Sequence, residues 1–164
     1  MKKTLLTLLT LLLLSQTSIA QPPAIRERAL ITNFSTLQNY TVVEITGEVL
    51  KGMSDKLGNI ASKIDALLMA TTENSSDIEN MKLQVADLLS ASNLDYKLLV
   101  SISGSDKEVK VASRKLFGGV NNNCYLIFSR DSLQGVLVFV MGSIDINNFT
   151  DLTSQLGFSV VDLW

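Results

Sequence analysis

Histidine is absent from this chain of 164 residues, which removes the commonest general base and the commonest metal ligand. Cysteine occurs once, at Cys124, so no intramolecular disulfide forms even in an oxidising compartment, and stability has to come from packing. An excess of positive charge is missing as well: 14 Lys and Arg stand against 16 Asp and Glu, a net charge of −2. The basic surface of a nucleic-acid binder is therefore not available. Long apolar runs stop early. Beyond the first twenty residues the longest clearly apolar block is Val136 to Met141, bracketed by Gly135 and Gly142. It is far shorter than the roughly 20 residues a membrane-spanning helix needs.

What is present begins with Lys2 and Lys3, followed by an apolar stretch from Leu5 to Leu14 broken only by Thr7 and Thr10. Ser18-Ile19-Ala20 then places small residues where a signal peptidase inspects the chain, which predicts a secretory signal cleaved between Ala20 and Gln21. No cysteine follows that site to accept a lipid. The mature protein is expected to be soluble, in the periplasm or secreted. The signal takes two lysines and no acid with it, so the net charge moves from −2 to about −4. The remainder has the size of one domain. The expected organisation is a signal peptide over 1–20, an extended leader over 21–29 containing Pro22-Pro23, and a single α+β domain over 30–164.

Along that domain, Leu30, Phe34 and Leu37 share one face at helical spacing. Tyr40 to Ile45 is rich in β-branched residues and reads as a buried strand. Leu50, Met53, Leu57 and Ile60 form a helical stripe weakened by Gly52 and Gly58. Ile64 to Ala70 reads as a second strand. Ser76-Asp77-Ile78-Glu79 has the form of a capping box with Ser76 as N-cap, opening a helix that turns Ile78, Met81, Val85 and Leu88 inward. Leu98, Val100 and Ile102 mark a third strand, and Ser103-Gly104-Ser105-Asp106 a turn into a partner carrying Val109 and Val111. A connection with Phe117-Gly118-Gly119 and Asn121-Asn122-Asn123 leads to strands at Cys124 to Phe128 and Gly135 to Met141, joined by a turn at Asp131 to Gln134. A last helix, capped by Asp145 or Asn147, carries Phe149, Leu152 and Leu156. This order predicts a two-layer α+β sandwich: a mixed, mostly antiparallel sheet of about six strands with helices packed on one face. A membrane barrel, which the aromatic Trp164 brings to mind, is disfavoured. Asp162 stands where its strand pattern wants an apolar residue, and the helical stripes contradict it.

Thr41-Val42-Val43-Glu44-Ile45-Thr46-Gly47-Glu48-Val49-Leu50 resembles the first strand and helix entry of a family of small envelope proteins from Bacteroidetes. Lys63-Ile64-Asp65-Ala66-Leu67-Leu68-Met69-Ala70 is similar to that family's second strand. Tyr96 with Leu98-Leu99-Val100-Ser101, and Gly142-Ser143-Ile144-Asp145-Ile146, fall where its later strands and closing turn occur. The family is a domain of unknown function, DUF 4252, and the resemblance spans roughly residues 30 to 157. It implies export and a compact α+β domain, and brings no catalytic residues with it. Many members are lipoproteins, from which this chain departs by lacking the acceptor cysteine.

Candidate chemistry is sparse. Cys124 has no histidine to activate it and is followed by Leu126 and Phe128, the surroundings of a small core residue. Ser103-Gly104-Ser105 lacks the Gly-x-Ser-x-Gly frame of a nucleophile elbow. Glu44, Glu48, Asp65 and Asp145 lie near strand ends as candidates for a carboxylate pair, with solvation for Glu44 and helix capping for Asp145 as the plainer roles. Asp145-Ile146-Asn147 begins like a calcium loop but continues with Phe149 in place of a ligand. Lys107, Lys110, Arg114 and Lys115 concentrate positive charge on one hairpin, suited to an anionic partner or, more simply, to discouraging edge pairing. Asp131-Ser132-Leu133 resembles a short O-glycosylation motif in a turn that would expose Ser132. Together these predict no catalytic, metal or cofactor site. The expected function is a non-enzymatic binding or adaptor domain of the bacterial envelope, with another envelope protein as the expected partner. The rivals are a carboxylate-based hydrolase and a component of envelope stress or surface assembly.

Overall fold

The computed structural model describes residues 24–117 and 122–145, apart from the side chains of Lys56 and Leu57. The expected signal and cleavage site at Ala20 and Gln21, the middle of the glycine-rich connection and the last helix bearing Phe149, Leu152 and Leu156 lie outside them. Six strands are described: β1 (Tyr40–Thr46), β2 (Ile64–Thr72), β3 (Lys97–Ser103), β4 (Glu108–Lys115), β5 (Asn123–Arg130) and β6 (Gly135–Gly142). They form one sheet in the order β1-β2-β6-β5-β4-β3, so the chain builds a β3-to-β6 meander whose last strand slots against β2. This is the expected α+β sandwich with two corrections: every neighbouring pair is antiparallel rather than mixed, and helical segments lie against both faces of the sheet rather than one. β2 and β3 do point the same way, but β6, β5 and β4 separate them, so no parallel ladder arises.

Alternation along the strands makes two apolar faces. On one, Leu68, Leu126, Phe128, Leu137 and Phe139 pack with Ile31 and Phe34 of α1 (Ile25–Ser35) and with Met81 and Val85 of a sixteen-residue helix, Ser75–Ser90. On the other, Leu67, Tyr125, Ile127, Val138 and Val140 pack with Leu50, Ile60 and Ala61 from the segment between β1 and β2. The central strands β5 and β6 are thus buried on both sides, which is why they read as nearly continuous apolar runs. Each of the fully buried Phe34, Phe128 and Phe139 contributes about 1.5–3 kcal/mol through removal from water.

Several local expectations change. α1 starts at Ile25, inside the stretch expected as an extended leader. β1 is an edge strand with only Tyr40 buried, not a buried strand, and Phe34 stacks on Tyr40 with ring centroids 4.5 Å apart. The stripe through Leu50, Met53 and Ile60 is broken into α2 (Gly47–Gly52), α3 (Ser54–Leu57) and a 3-10 turn (Gly58–Lys63): Met53 leaves helical geometry between the first two, and Gly58 takes a positive φ of 59° before the third. Met53 is left exposed. The long helix, α4 (Ser75–Ser90), buries Ile78, Met81, Val85 and Leu88 as expected. Its cap is Asn74, not Ser76: the Asn74 side chain accepts from the Ser76 and Asp77 backbone N–H groups at 3.1 and 3.3 Å. Glu79 does not reach back but pairs with Lys82 and Arg130. Gly142 closes β6 against the start of β2, with φ 149° and the Lys63 carbonyl only 2.1 Å from where a Cβ would stand.

Candidate functional site

α1 turns Glu27, Ile31 and Phe34 onto one buried face, so an acidic residue enters the core beside two apolar ones. Glu27 is 0% exposed. Arg114, on β4, meets it with two hydrogen bonds, Nε to Oε1 at 2.7 Å and Nη2 to Oε2 at 2.9 Å. Tyr96, just before β3, donates its hydroxyl to Glu27 Oε1 at 2.6 Å, and its ring lies under the Arg114 guanidinium at 5.6 Å. Cys124, the second residue of β5, has its Sγ 3.6 Å from the Tyr96 hydroxyl.

The electrostatics follow from burial and pairing. Burial alone raises the Glu27 carboxyl, but the hydrogen bonds from Arg114 and Tyr96 outweigh it and hold the group below the ordinary carboxylate value. Burial would lower Arg114, yet the Glu27 carboxylate outweighs that and raises it. Tyr96 is pushed well up by burial and by its two neighbours Cys124 and Glu27. Burial, with the Glu27 charge, pushes the Cys124 thiol up to about 12, so it stays protonated and unreactive at neutral pH. The cluster is a closed ion pair with a tyrosine clamp.

Beside it, where β3 begins and β4 ends, the surface has a cavity of about 300 Å³. Asn93, Asp95, Lys97, Ser113, Lys115 and Phe117 line it, and Arg114 forms part of its wall. Phe117 is 81% exposed at this mouth.

The expected site residues are dispersed. The basic hairpin does not form one patch: Arg114 is buried against Glu27, and Lys110 pairs with Glu108 at 2.7 Å. Glu108 is buried and also meets Arg130 at 3.0 Å and Lys82 at 3.7 Å, so it ties α4 to β4 and β5. The edge-protection role is corrected too, since β4 lies inside the sheet and β3 is the edge. Glu44 pairs with Arg28 on the surface. Glu48 sits exposed in the first turn of α2, and Asp65 is exposed at a register shift in β2. Asp145 is exposed beyond β6, at the same end of the sheet as Asp65. None of these four lines the cavity. Ser103-Gly104-Ser105 forms the β3–β4 turn, with Gly104 N–H bonded to the Lys107 carbonyl. Asp131 bonds the Leu133 and Gln134 N–H groups and shapes the turn that holds Ser132. No group of three or more Cys, Asp or Glu among the described residues is placed to hold a metal ion.

Glu27 and Tyr96 are the partners that sequence reasoning missed. For Glu27 a signal exists: it stands four and seven residues before Ile31 and Phe34, on an inward face where a carboxylate needs a counter-ion. No described helix is long and apolar enough to cross a membrane. The profile of a family described as a domain of unknown function (DUF4252) matches residues 34–152. No curated protein and no solved structure matches the chain.

Proposed function

Taking as premise that the chain belongs to the DUF4252 family, we propose that it is an exported domain of the bacterial envelope that acts by binding a partner rather than by catalysis. Export rests on the Lys2-Lys3 start, the Leu5 to Leu14 core and the Ala20-Gln21 junction. Binding rests on one observation above all. Glu27, Arg114, Tyr96 and Cys124 are tied to each other inside the fold, while the open cavity between Asp95 and Phe117 is rimmed by exposed cations and an exposed aromatic ring. A concavity that brings cationic groups and an aromatic ring together suits recognition. The hydrolase alternative needs two carboxylates facing each other across a cleft. The cavity contains Asp95 as its one acidic lining residue, and Asp65 and Asp145 lie outside it.

The test is site-specific photo-crosslinking in living cells from position 117, with position 49 on α2 as an exposed control. A discrete adduct from 117 and none from 49 is expected. A turnover by purified protein that disappears in Asp65→Ala or Asp145→Ala while the fold survives would replace this reading with the enzyme. Intact-mass measurement of envelope protein should give a chain beginning at Gln21, and retention of residues 1–20 would overturn the export proposal.

A further inference from the structure

We propose that the open edge of β3 accepts the C-terminal end of an extended polypeptide, added antiparallel to the strand, with its terminal carboxylate at the Lys97 end, in reach of the Lys97 and Lys115 ammonium groups. This rests on the binding reading above and gives it a ligand class.

The edge comes first. β3 is the last strand of the sheet among the described residues, so one row of its backbone N–H and C=O groups has no strand beside it. Leu98 and Leu99 are 54% and 42% exposed, and among the described residues they are the two exposed large apolar side chains on any strand. The ladder to β4 shifts register between Leu98 and Val100, which leaves Leu99 without a cross-strand partner. Such a bulge re-aims side chains and interrupts a flat edge, which disfavours indefinite sheet growth while leaving room for a short segment. The other edge differs: β1 carries Glu44, already paired with Arg28.

Direction then selects the ligand's end. β3 runs from Lys97 to Ser103, and the cavity lies at its Lys97 end. A strand added antiparallel to β3 runs the other way, so its last residue arrives at the cavity. Lys97 pairs directly with Ser113 across the β3–β4 ladder, and Lys115 is the diagonal neighbour on the same face. Such diagonal positions are about 7–8 Å apart, a span that two lysine ammonium groups can close around one carboxylate. Both lysines are exposed, and neither has an ion-pair partner among the described residues, whereas Arg114 is already countered by Glu27. Main-chain bonds along the edge supply affinity, and the two leucines and the two lysines supply preference for an apolar segment ending in a carboxylate.

The experiment uses the isotopically labelled mature protein and two probes, an acetylated peptide of three Thr-Val repeats with a free C-terminal carboxylate and the same peptide as its C-terminal amide. The carboxylate probe should shift the backbone amide resonances of Lys97 to Ser103, and the amide should bind at least ten-fold more weakly at low salt. The double variant Lys97→Glu, Lys115→Glu should erase that difference and keep the wild-type thermal melt, because both side chains are exposed. Equal affinity for the two probes, shifts confined to β1 or another face, or no shift at millimolar peptide would overturn the proposal. So would sedimentation showing β3 covered by a second copy of the chain. If crosslinks from position 117 persist in the double variant while the carboxylate preference is absent in wild type, the C-terminal peptide fails and the binding reading stands. If both are absent, the binding reading fails with it.

Discussion

Glu27 and Arg114, 87 positions apart in the chain, meet inside the protein through two hydrogen bonds of 2.7 and 2.9 Å. The pair joins the first turn of α1 to the end of β4, and Tyr96 closes over it from the residue before β3. A buried ion pair adds little net stability compared with an apolar pair of equal volume, but removing one partner strands the other charge away from water.

Glu27→Gln should therefore destabilise the protein by about 3–5 kcal/mol, measured by urea unfolding. Tyr96→Phe removes one hydrogen bond to a charged group and should lose about 1.5–3 kcal/mol. The double replacement Glu27→Leu with Arg114→Met should lose less than the sum of the two single changes. A loss below about 1 kcal/mol for Glu27→Gln would show that Arg114 finds another partner or water.

The same pair sets an acid limit. Glu27 titrates below its unfolded value of about 4.3, so between the two values the unfolded chain holds more protons and stability rises with pH. The stabilisation is complete above about pH 4.3 and is lost as pH falls through the folded value. Glu108 acts in the same direction: burial raises it, but Lys110 and Arg130 outweigh burial. The urea midpoint should fall below about pH 4.3, with a shallower acid fall in Glu27→Gln because Glu108 remains. An identical slope in both proteins would contradict this assignment.

Cys124 is fully buried, with its thiol held at about 12, so a thiol reagent should label it only once denaturant is added. Stoichiometric labelling of native protein within minutes would mean that the Tyr96–Glu27 cluster opens readily.

Capping distinguishes the two candidate starts of α4. Asn74→Ala should cost about 1 kcal/mol, since its side chain accepts from two backbone N–H groups. Ser76→Ala should cost less, because the Ser76 hydroxyl donates to Asn74 Oδ1 and bonds no helix N–H. The reverse order in thermal melts would restore the Ser76 cap.

Much of the fold was legible because apolar periodicity is local. The alternation at Leu98, Val100 and Ile102, the paired apolar blocks at 124–128 and 136–141, and the stripe Ile78-Met81-Val85-Leu88 each announce an element from a window of a few residues. Propensity misled where context outranked it. A β-branched run at Tyr40 to Ile45 resembles an interior strand but lies at the edge, because nothing local says how many neighbours a strand acquires. A serine with a glutamate three residues on matches a capping box, yet Asn74 had already started the helix.

By itself, the sequence determined where the six described strands and the Ser75–Ser90 helix fall, that one cysteine excludes a disulfide, and that no histidine serves as base or ligand. These depend on composition and near neighbours. Only the tertiary structure decided strand order, and strand order decided the rest. Slotting β6 between β2 and β5 makes β4 interior and β3 an edge, which buries Arg114 against a glutamate from α1 and leaves Lys97, Leu98, Leu99 and Lys115 facing outward. The four basic residues of one hairpin looked equivalent in sequence. They differ in the folded protein because a charge takes its meaning from its neighbours: Lys110 pairs with Glu108, two positions away on its own strand, whereas Arg114 meets Glu27 from 87 positions away.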